Sequence, residues 1–281
     1  MTVVSSAITA TGPGRWTVRA MDTVFSITLP DIDHDRSGRL AADVAADFED
    51  VEARLSVFRP DSEISRWRDG LIADDELSAS TREVLAACDH LAAATGGLFS
   101  AGRDEGYDPT GYVKGWALSR AAACLDRAGV SSYCVNGGGD IIARGVGPHG
   151  VPWRVGVVHP ARPGEFATII TAIPGDQRPL AVATSGTSER GRHIVNPIDG
   201  WRPDRSTLTV VGHDIALVDA LATAALASGR AGTTAQTRLL DGFGLQAFGF
   251  DEDRRPWWTP GMPRYALLPR TVTASGMAAH P

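Results

Sequence analysis

Cysteine, positive charge and long apolar runs are all scarce in this chain. The three cysteines, Cys88, Cys124 and Cys134, form no C-x-x-C motif and no even set for a disulfide framework. Reduced thiols of a cytoplasmic protein are therefore the simplest interpretation. Lysine and arginine total 27 against 33 aspartates and glutamates, and the net charge of −6 argues against nucleic-acid binding by bulk electrostatics.

No segment has the pattern of a membrane span either. The longest apolar run, Ile215–Ser228, has the length of a core helix and contains Asp219, whereas a span requires about 20 apolar residues. The first residues, MTVVSSAITATGPGRW, lack the basic and apolar regions of a secretory signal. We therefore expect a cytoplasmic protein without membrane insertion.

Hydrophobic residues make up 43% of the 281 residues, which is enough for a substantial core in one large domain or two closely joined lobes. We expect this domain to cover residues 15–281 and residues 1–14 to be flexible. Helical spacing of apolar residues leads in the first half of the sequence, and strand-like patterns dominate the second. This order favours an α+β fold over a regularly alternating parallel sheet.

Apolar spacing predicts four principal helices, and Ser37 is the expected N-cap of the first. The predicted helices cover Ser37–Leu55, Ser80–Thr95, Val113–Arg127 and Ile215–Ser228. Strands are predicted within Trp16–Leu29, 131–145, Trp153–His159, Phe166–Ile173, 180–186, Leu208–Val211 and Leu245–Phe250.

A triple glycine precedes an acid in SSYCVNGGGD, residues 131–140. Gly137 and Gly139 fit the start of a dinucleotide-binding G-x-G-x-x-G motif, but Ile142 occupies the third position and a strand is predicted to follow. Two interpretations stay open. The glycines either form a tight hairpin with positive φ, or they let backbone N–H groups approach a ligand beside Asp140.

Asp219 and Thr223 are four residues apart in the Ala-rich helix, so they lie on one face. Carboxylate and hydroxyl oxygens are hard ligands of the kind that Mg²⁺ prefers. A carboxylate within an apolar helix is costly unless it caps the helix, forms an ion pair or binds a cation. The alternative is that Asp219 is the N-cap of a helix that begins at Ala220.

Two further segments carry candidates for chemistry. Lys114 lies where a glycine-rich loop enters a helix, a position suited to phosphate, although an ordinary surface lysine is the commoner explanation. The polar run from Ser185 to His193 brings together hydroxyls, backbone N–H groups and cations. Its histidine is the best acid–base candidate of the seven, and a structural or solvated side chain is the alternative.

The sequence resembles the ApbE family, the FAD:protein FMN transferases, in four runs that occur in the same order: YDPTGYVKGWALSRAA, VNGGGD, AVATSGTSERGRHIVNPIDG and VDALATA. The resemblance spans roughly Trp16 to Trp258. It implies an α+β, T-fold-like architecture of two lobes that bind FAD in the cleft between them. It also implies Mg²⁺-dependent transfer of FMN from FAD to a Thr or Ser hydroxyl of an acceptor protein, with release of AMP.

The same resemblance implies roles for individual residues. Asp219, Thr223 and the main-chain carbonyl of Val113 would hold Mg²⁺. His193 would lie near the reacting phosphate, so that His193 and Asp219 are the candidate catalytic residues, and Met21 would contact the adenosine end of FAD. Further residues expected to bind FAD are Lys114, Gly138, Gly139, Asp140, Ser185, Gly186, His193 and Ile194.

Two positions depart from the family pattern. Asp22 follows Met21 where the family has glycine in an M-G-T element, and Arg68 replaces asparagine in an S-x-x-S-R-x-N element. We therefore expect different contacts on the adenine side of FAD, and with them a different balance between FMN transfer and FAD hydrolysis. The alternative functions are an FAD pyrophosphatase that yields FMN and AMP, FAD binding without catalysis, and an unrelated α+β protein.

Overall fold

The computed structural model describes residues 8–103, 106–162, 164–186, 194–204 and 206–268. Its α-helices are α1 (His34–Leu55), α2 (Glu63–Arg68), α3 (Ala79–Ala94), α4 (Thr110–Arg127), α5 (Ile215–Ala227) and α6 (Thr233–Gly242). Its strands are β1 (Ile8–Gly12), β2 (Arg15–Ala20), β3 (Thr23–Thr28), β4 (Gly102–Arg103), β5 (Gly106–Tyr107), β6 (Tyr133–Gly137), β7 (Asp140–Arg144), β8 (Arg154–Val158), β9 (Phe166–Thr171), β10 (Leu180–Gly186), β11 (Thr207–Gly212), β12 (Gln246–Phe250) and β13 (Pro256–Trp258).

Strands from both halves of the chain join in one antiparallel sheet. Within the ranges given above it has nine strands in the order β1-β2-β3-β6-β7-β10-β11-β12-β13, and the hairpins β4–β5 and β8–β9 lie outside it. Helices α1 to α4 fill the connection from β3 to β6, and α5 and α6 fill the connection from β11 to β12. The predicted α+β class is confirmed. Because the large sheet is continuous, two lobes would share this sheet.

The two faces of the sheet are covered differently. Helices α1, α4 and α5 pack on one face and form the main core, and α5 is buried nearly all round because α4 covers its other side. The β8–β9 hairpin packs with residues 262–266 in a second apolar cluster on the opposite face. None of the helices in the described ranges combines the length and the hydropathy that crossing a membrane requires.

The first long helix begins three residues before the position that the apolar spacing predicts. Asp33 is the N-cap of α1, because its side chain accepts the backbone N–H of Arg36 at 2.9 Å. Ser37, the predicted cap, is buried inside the helix. Its hydroxyl accepts a hydrogen bond from Trp16 Nε1 at 3.1 Å and donates to the carbonyl of His34. Ser37 therefore joins α1 to β2.

Part of the segment that was expected to be flexible is a strand. Ile8–Gly12 forms β1 at the edge of the large sheet and pairs with β2 from Ile8↔Val18 to Gly12↔Arg15. Its side chains are mostly exposed, so backbone pairing and not burial holds it, which the hydrophobic pattern does not predict. Residues 1–7, the rest of the segment expected to be flexible up to β1, lie outside the described residues.

Glu63, at the start of α2, ties this helix to the start of α3. Its carboxylate accepts the backbone N–H of Ser78 and the hydroxyls of Ser78 and Thr81, both at 2.8 Å, and Arg54 lies 3.6 Å away. Burial alone would raise the pKa of Glu63, but these hydrogen bonds and Arg54 hold the pKa below its ordinary value.

Replacing Glu63 by glutamine is expected to lower the free energy of unfolding by about 1–2 kcal/mol at neutral pH, because one acceptor oxygen must then serve three donors. Since the folded pKa lies below the ordinary value of 4.5, the carboxylate stabilises the fold above that pH and loses this contribution as the pH falls through the folded pKa. Urea unfolding of both proteins from about pH 7 to about pH 3 measures this. A difference between the proteins that does not shrink in acid would contradict the assignment.

Candidate functional site

Several of the predicted site residues lie at one end of the large sheet. The β2–β3 hairpin turns at Met21–Asp22, and the β6–β7 hairpin turns at Gly138–Gly139. Because β3 and β6 are neighbouring antiparallel strands, the two turns lie side by side, and a Cβ on Gly138 would be 3.2 Å from Thr23 Oγ1. The last residues of β10, Ser185–Gly186, reach the same end. The sheet topology therefore brings three predicted ligand-binding segments together.

The triple glycine before Asp140 has two separate structural causes. Gly138, with φ of 63°, and Gly139, with φ of 99°, are the central residues of the hairpin turn, where a left-handed backbone favours glycine. Gly137 lies under the ring of Phe25, whose Cε1 would be 2.5 Å from an added Cβ. The hairpin interpretation is confirmed, and contact of this turn with a ligand stays a prediction.

Helix α4 begins at Thr110, one turn before the predicted start at Val113. Pro109 is the N-cap of this helix, and Asp108 accepts the backbone N–H of Thr110 at 3.0 Å and its hydroxyl at 2.6 Å, which satisfies one of the unpaired N–H groups at the helix start. Val113 is buried, and Lys114 lies in the second turn instead of at the N-terminus. The expected placement of Lys114 at the start of the helix is therefore wrong, and its contact with phosphate stays a prediction.

Lys114 joins the glycine turn to α5 through two buried carboxylates. Its ammonium group contacts Asp140 Oδ2 and lies 3.5 Å from Asp219 Oδ1. Asp140 is 2% exposed and Asp219 is 6% exposed, and Asp140 also accepts the backbone N–H of Thr184 at 3.3 Å. Lys114 is the only lysine in the sequence. When both carboxylates are ionised, one ammonium group leaves this cluster negative, so the cluster then attracts a further cation.

Burial and charge act in opposite directions on these groups. Burial raises the pKa of Asp219, and the nearby Asp140 carboxylate raises it further. Lys114 and the backbone N–H of Gly115 lower this pKa, but the net result is a pKa above the ordinary value. Burial alone would lower the pKa of Lys114, but Asp219 and Asp140 outweigh it and the pKa is raised. An ionised Asp219 is therefore stable only while a cation lies close to it.

Asp219 and Thr223 lie inside α5 as their spacing predicts. The alternative in which Asp219 caps the helix is wrong, because α5 begins at Ile215 and Asp214 is the N-cap. Thr223 lies one turn beyond Asp219, and its hydroxyl is 2.9 Å from the hydroxyl of Ser185 on β10. The two predicted metal ligands of α5 therefore face the end of the sheet that carries the turns.

The oxygen donors at this position fit a hard divalent cation. Asp219 offers a buried carboxylate and Thr223 a hydroxyl on the same helix face. No group of three or more His, Cys, Asp or Glu side chains suited to a metal occurs in the described part of the chain. Mg²⁺ is commonly bound by one or two carboxylates together with water and substrate phosphates, so it needs few protein ligands. The metal-binding roles of Asp219, Thr223 and the Val113 carbonyl stay predictions.

Gly115 allows α4 and α5 to approach closely enough to form this cluster. A Cβ at Gly115 would lie 2.7 Å from the carbonyl oxygen of Ile215, 2.8 Å from Cα of Ala216 and 3.0 Å from Cβ of Asp219. Two of these are backbone atoms, which cannot move without shifting α5. The absence of a side chain next to Lys114 therefore sets the distance between Lys114 and Asp219.

Gly115→Ala is expected to lower the free energy of unfolding by about 1–3 kcal/mol, because overpacking forces the two helices apart. Gly111→Ala in the same helix is the matched control, since its Cβ would meet Phe99 Cε2 at an ordinary 3.6 Å. Alanine is the better helix former, so the control should be neutral or slightly more stable. Urea unfolding of both variants measures the contrast, and equal stability of the two would refute the packing role of Gly115.

Two remaining predicted residues are adjacent in sequence. His193 lies outside the described residues, as do residues 187–192, so its proposed role stays a prediction. Ile194 is 4% exposed and belongs to the main core, which leaves its contact with FAD a prediction as well. Asn196, two residues later, is buried, and its backbone N–H donates to the carbonyl of Trp201 at 2.7 Å, which closes a local turn after Ile194.

The serines of the S-x-x-S-R-x-N element have a structural role. The hydroxyls of Ser62 and Ser65 both donate to the carbonyl of Ser56, at 2.7 Å and 3.3 Å, and Ser62 is the N-cap of α2. They fix α2 against the end of α1. Arg68, the departure in this element, lies against Gly106, where an added Cβ would be 3.3 Å from its guanidinium nitrogens.

Two residues near the candidate site carry signals that the motif analysis did not use. Lys114 is the single lysine of a chain rich in arginine, so the sequence places a compact ammonium group at this position alone. Glu52 lies four residues after Phe48 on the apolar face of α1, and its carboxylate accepts the backbone N–H of Met21 at 3.0 Å. Asp219 was identified because it is a charged residue on an otherwise apolar helix face, and the same criterion could have identified Glu52.

Comparisons with known proteins agree with the sequence motifs. The chain matches the ApbE family model over residues 21–105 and 100–243. It is 32% identical over 168 residues to a FAD:protein FMN transferase of Vibrio cholerae, which covers 56% of this chain and 48% of the relative. A FAD:protein FMN transferase of Rhodobacter capsulatus is 35% identical over 129 residues, 42% of this chain and 23% of the relative. The alignments thus span about half or less of these curated relatives.

Solved structures show the same fold. The flavin transferase ApbE from Vibrio cholerae superposes with a TM-score of 0.74 at 21% identity and covers 89% of this chain and 98% of its own. An ApbE protein from Thermotoga maritima gives a TM-score of 0.76 at 18% identity, with 90% and 98% coverage. The matched family model covers most of the chain, including both turns, α4 and α5. This chain therefore belongs to the ApbE family.

Proposed function

We propose that this protein transfers FMN from FAD to a Thr or Ser hydroxyl of an acceptor protein and releases AMP. The observation that carries the proposal is the cluster of Lys114, Asp140 and Asp219, in which a glycine turn, α4 and α5 meet around buried opposite charges. Such a cluster suits a ligand that brings phosphates together with a divalent cation. The curated relatives that carry the name FAD:protein FMN transferase support the same reaction.

The reaction replaces the phosphoanhydride bond between the two halves of FAD by a phosphate ester bond to the acceptor. The hydroxyl oxygen of the acceptor forms a bond to the phosphorus of the FMN half, and the bond from that phosphorus to the oxygen shared with AMP breaks. The proton of the hydroxyl passes to a base, and AMP leaves with the bridging oxygen. Neither oxidation nor reduction of the flavin is involved, so FAD, the acceptor and a metal ion suffice.

Asp219, Thr223 and the main-chain carbonyl of Val113 would hold Mg²⁺. When bound, Mg²⁺ supplies positive charge that offsets the charge of the phosphates. Lys114 would add its own positive charge on the side of the glycine turn, and Asp140 would orient the ammonium group through their ion pair. His193, outside the described residues, would accept the proton of the acceptor hydroxyl or orient that hydroxyl.

The other predicted binding residues would position FAD. Gly138 would present its backbone N–H to the ligand, whereas the N–H of Gly139 donates to Asn136 Oδ1 at 2.9 Å, so Gly139 would contribute only the close approach that its missing side chain allows. Ser185 and Gly186 would line the same end of the sheet. Met21 would contact the adenosine end. A cytoplasmic location belongs to the same proposal and is supported by the free thiols of the three cysteines.

Incubation of the purified protein with FAD, Mg²⁺ and a flavin-acceptor domain tests the proposal, with mass spectrometry of the acceptor as the measurement. An added FMN on a Thr or Ser of the acceptor, accompanied by AMP, is the expected result. Free FMN and AMP in the absence of any acceptor would identify a pyrophosphatase instead. FAD that is bound but unchanged would identify a binding protein, and a protein that takes up no FAD would refute all three.

A further inference from the structure

The turn between β2 and β3 has a strained backbone. Met21 has φ of 52° and Asp22 has φ of 54°, both in the left-handed region, and neither is glycine. Aspartate tolerates this conformation better than methionine does, but neither adopts it as readily as glycine, so both residues are strained. Such a conformation persists only where the surrounding structure holds it.

One contact holds this turn from outside the hairpin. The backbone N–H of Met21 donates to Glu52 Oε2 at 3.0 Å, so the strained residue is tied to α1. Phe48, one turn before Glu52 on the same helix face, stacks on Phe25 of β3 with ring centroids 4.0 Å apart, and both rings are fully buried. This packing fixes α1 on the sheet and thereby fixes Glu52 over the turn.

The same packing links the strained turn to the glycine turn. Phe25 lies over Gly137, the first of the three glycines, and Gly138 lies beside Thr23, the residue that follows the strained turn. A change in the conformation of residues 21–22 would therefore alter the spacing of two neighbouring turns at the candidate site. Asp22 makes this chain more dependent on an external contact than a glycine would, because glycine adopts the left-handed conformation without strain.

We propose that Glu52 is a positioning residue for FAD binding. Its carboxylate holds the Met21–Asp22 turn in the left-handed conformation and so places Met21 at the ligand, without contact between Glu52 and FAD. The inference rests on the proposed function, because it concerns the same site. Glu52, near the end of α1, would therefore affect the affinity for FAD and not the rate of the transfer step.

Three variants test the role of Glu52 in binding, with fluorescence titration of FAD in the presence of Mg²⁺ as the measurement. Glu52→Ala is expected to weaken FAD binding about tenfold, which corresponds to about 1.4 kcal/mol. Glu52→Gln keeps an acceptor oxygen at the same reach and should weaken binding by less than about threefold. Glu49→Ala removes an exposed carboxylate from the same helix and should leave binding unchanged. In each case KM should follow the affinity while kcat stays close to that of the unsubstituted protein.

A double-mutant cycle with Asp22→Gly distinguishes positioning from direct contact. Glycine favours the turn by itself, so Glu52→Ala in the Asp22→Gly protein should weaken FAD binding by about threefold or less. An effect of Glu52→Ala that is equally large in both backgrounds would overturn the inference, because Glu52 would then act on FAD by another route.

Amide hydrogen exchange of the ligand-free protein gives a readout that needs no FAD. The Met21 amide should exchange at least about tenfold faster in Glu52→Ala than in Glu52→Gln, because its acceptor is lost. Unchanged exchange would overturn the inference even if affinity falls. A protein that binds no FAD at all, but shows the expected exchange, would refute the proposed function and leave the holding of the turn by Glu52 supported.

Discussion

Replacement of Asp219 by alanine is expected to reduce FMN transfer at least about a hundredfold, which corresponds to about 2.7 kcal/mol of transition-state stabilisation. The reason is that Asp219 is the carboxylate of the proposed metal site and one of the two partners of Lys114. FAD binding should survive in part, because the turns and Ser185 remain. In-gel flavin fluorescence of an acceptor, with FAD and Mg²⁺ present, measures the loss.

The matched control is Asp214→Ala, which makes the same chemical change in the same helix. Asp214 caps α5 through hydrogen bonds to the N–H groups of Ala216 and Leu217, so its loss should cost about 1 kcal/mol of stability. Transfer at a temperature where the variant is folded should stay close to that of the unsubstituted protein. Normal flavinylation by Asp219→Ala would contradict the metal assignment, and equal losses in both variants would indicate that α5 acts only through its stability.

Lys114→Met is expected to lower the free energy of unfolding by about 2–3 kcal/mol, because two buried carboxylates lose their shared cation. Burial already raises the pKa of Asp219, and removal of the ammonium group would raise this pKa further. A group whose folded pKa is raised stabilises the fold while it is protonated, and that contribution is lost as the pH rises through the folded pKa. The destabilisation should therefore be larger at about pH 8 than at about pH 5 in urea unfolding.

Two companion variants separate charge from shape. Lys114→Met combined with Asp140→Asn removes one cation and one carboxylate, and should recover part of the lost stability. Lys114→Arg keeps the charge but replaces a compact ammonium group by a larger planar one, next to the point where α4 and α5 approach closely at Gly115. If charge alone mattered, this variant would be as stable as the unsubstituted protein, so we expect its stability to be lower. A Lys114→Met protein that unfolds at the same urea concentration as the unsubstituted protein at both pH values would show that the ion pairs contribute nothing to stability.

Local pattern was sufficient for much of the fold. Apolar spacing located α1, α3 and α5, and β-prone runs located the hairpin around Gly138 and Gly139, because these patterns depend on neighbours a few residues away. The pairing of Asp219 with Thr223 on one helix face followed from helical geometry alone. The errors lie at the ends of elements. Ser37 and Val113 are expected at helix starts, but α1 begins after its N-cap Asp33 and α4 begins at Thr110.

Local residue patterns indicate most of the elements that form, the family that the motifs resemble and the residues that are candidates for the site. Which of these candidates lie close together depends on how the elements pack. Lys114 contacts Asp140 and lies 3.5 Å from Asp219 only because Gly115 lets α4 approach α5 and because β6 and β7 bring the glycine turn to the same end of the sheet. Contacts between distant parts of a chain depend on packing between elements, and hydrophobic periodicity, which is a local property, does not contain that information.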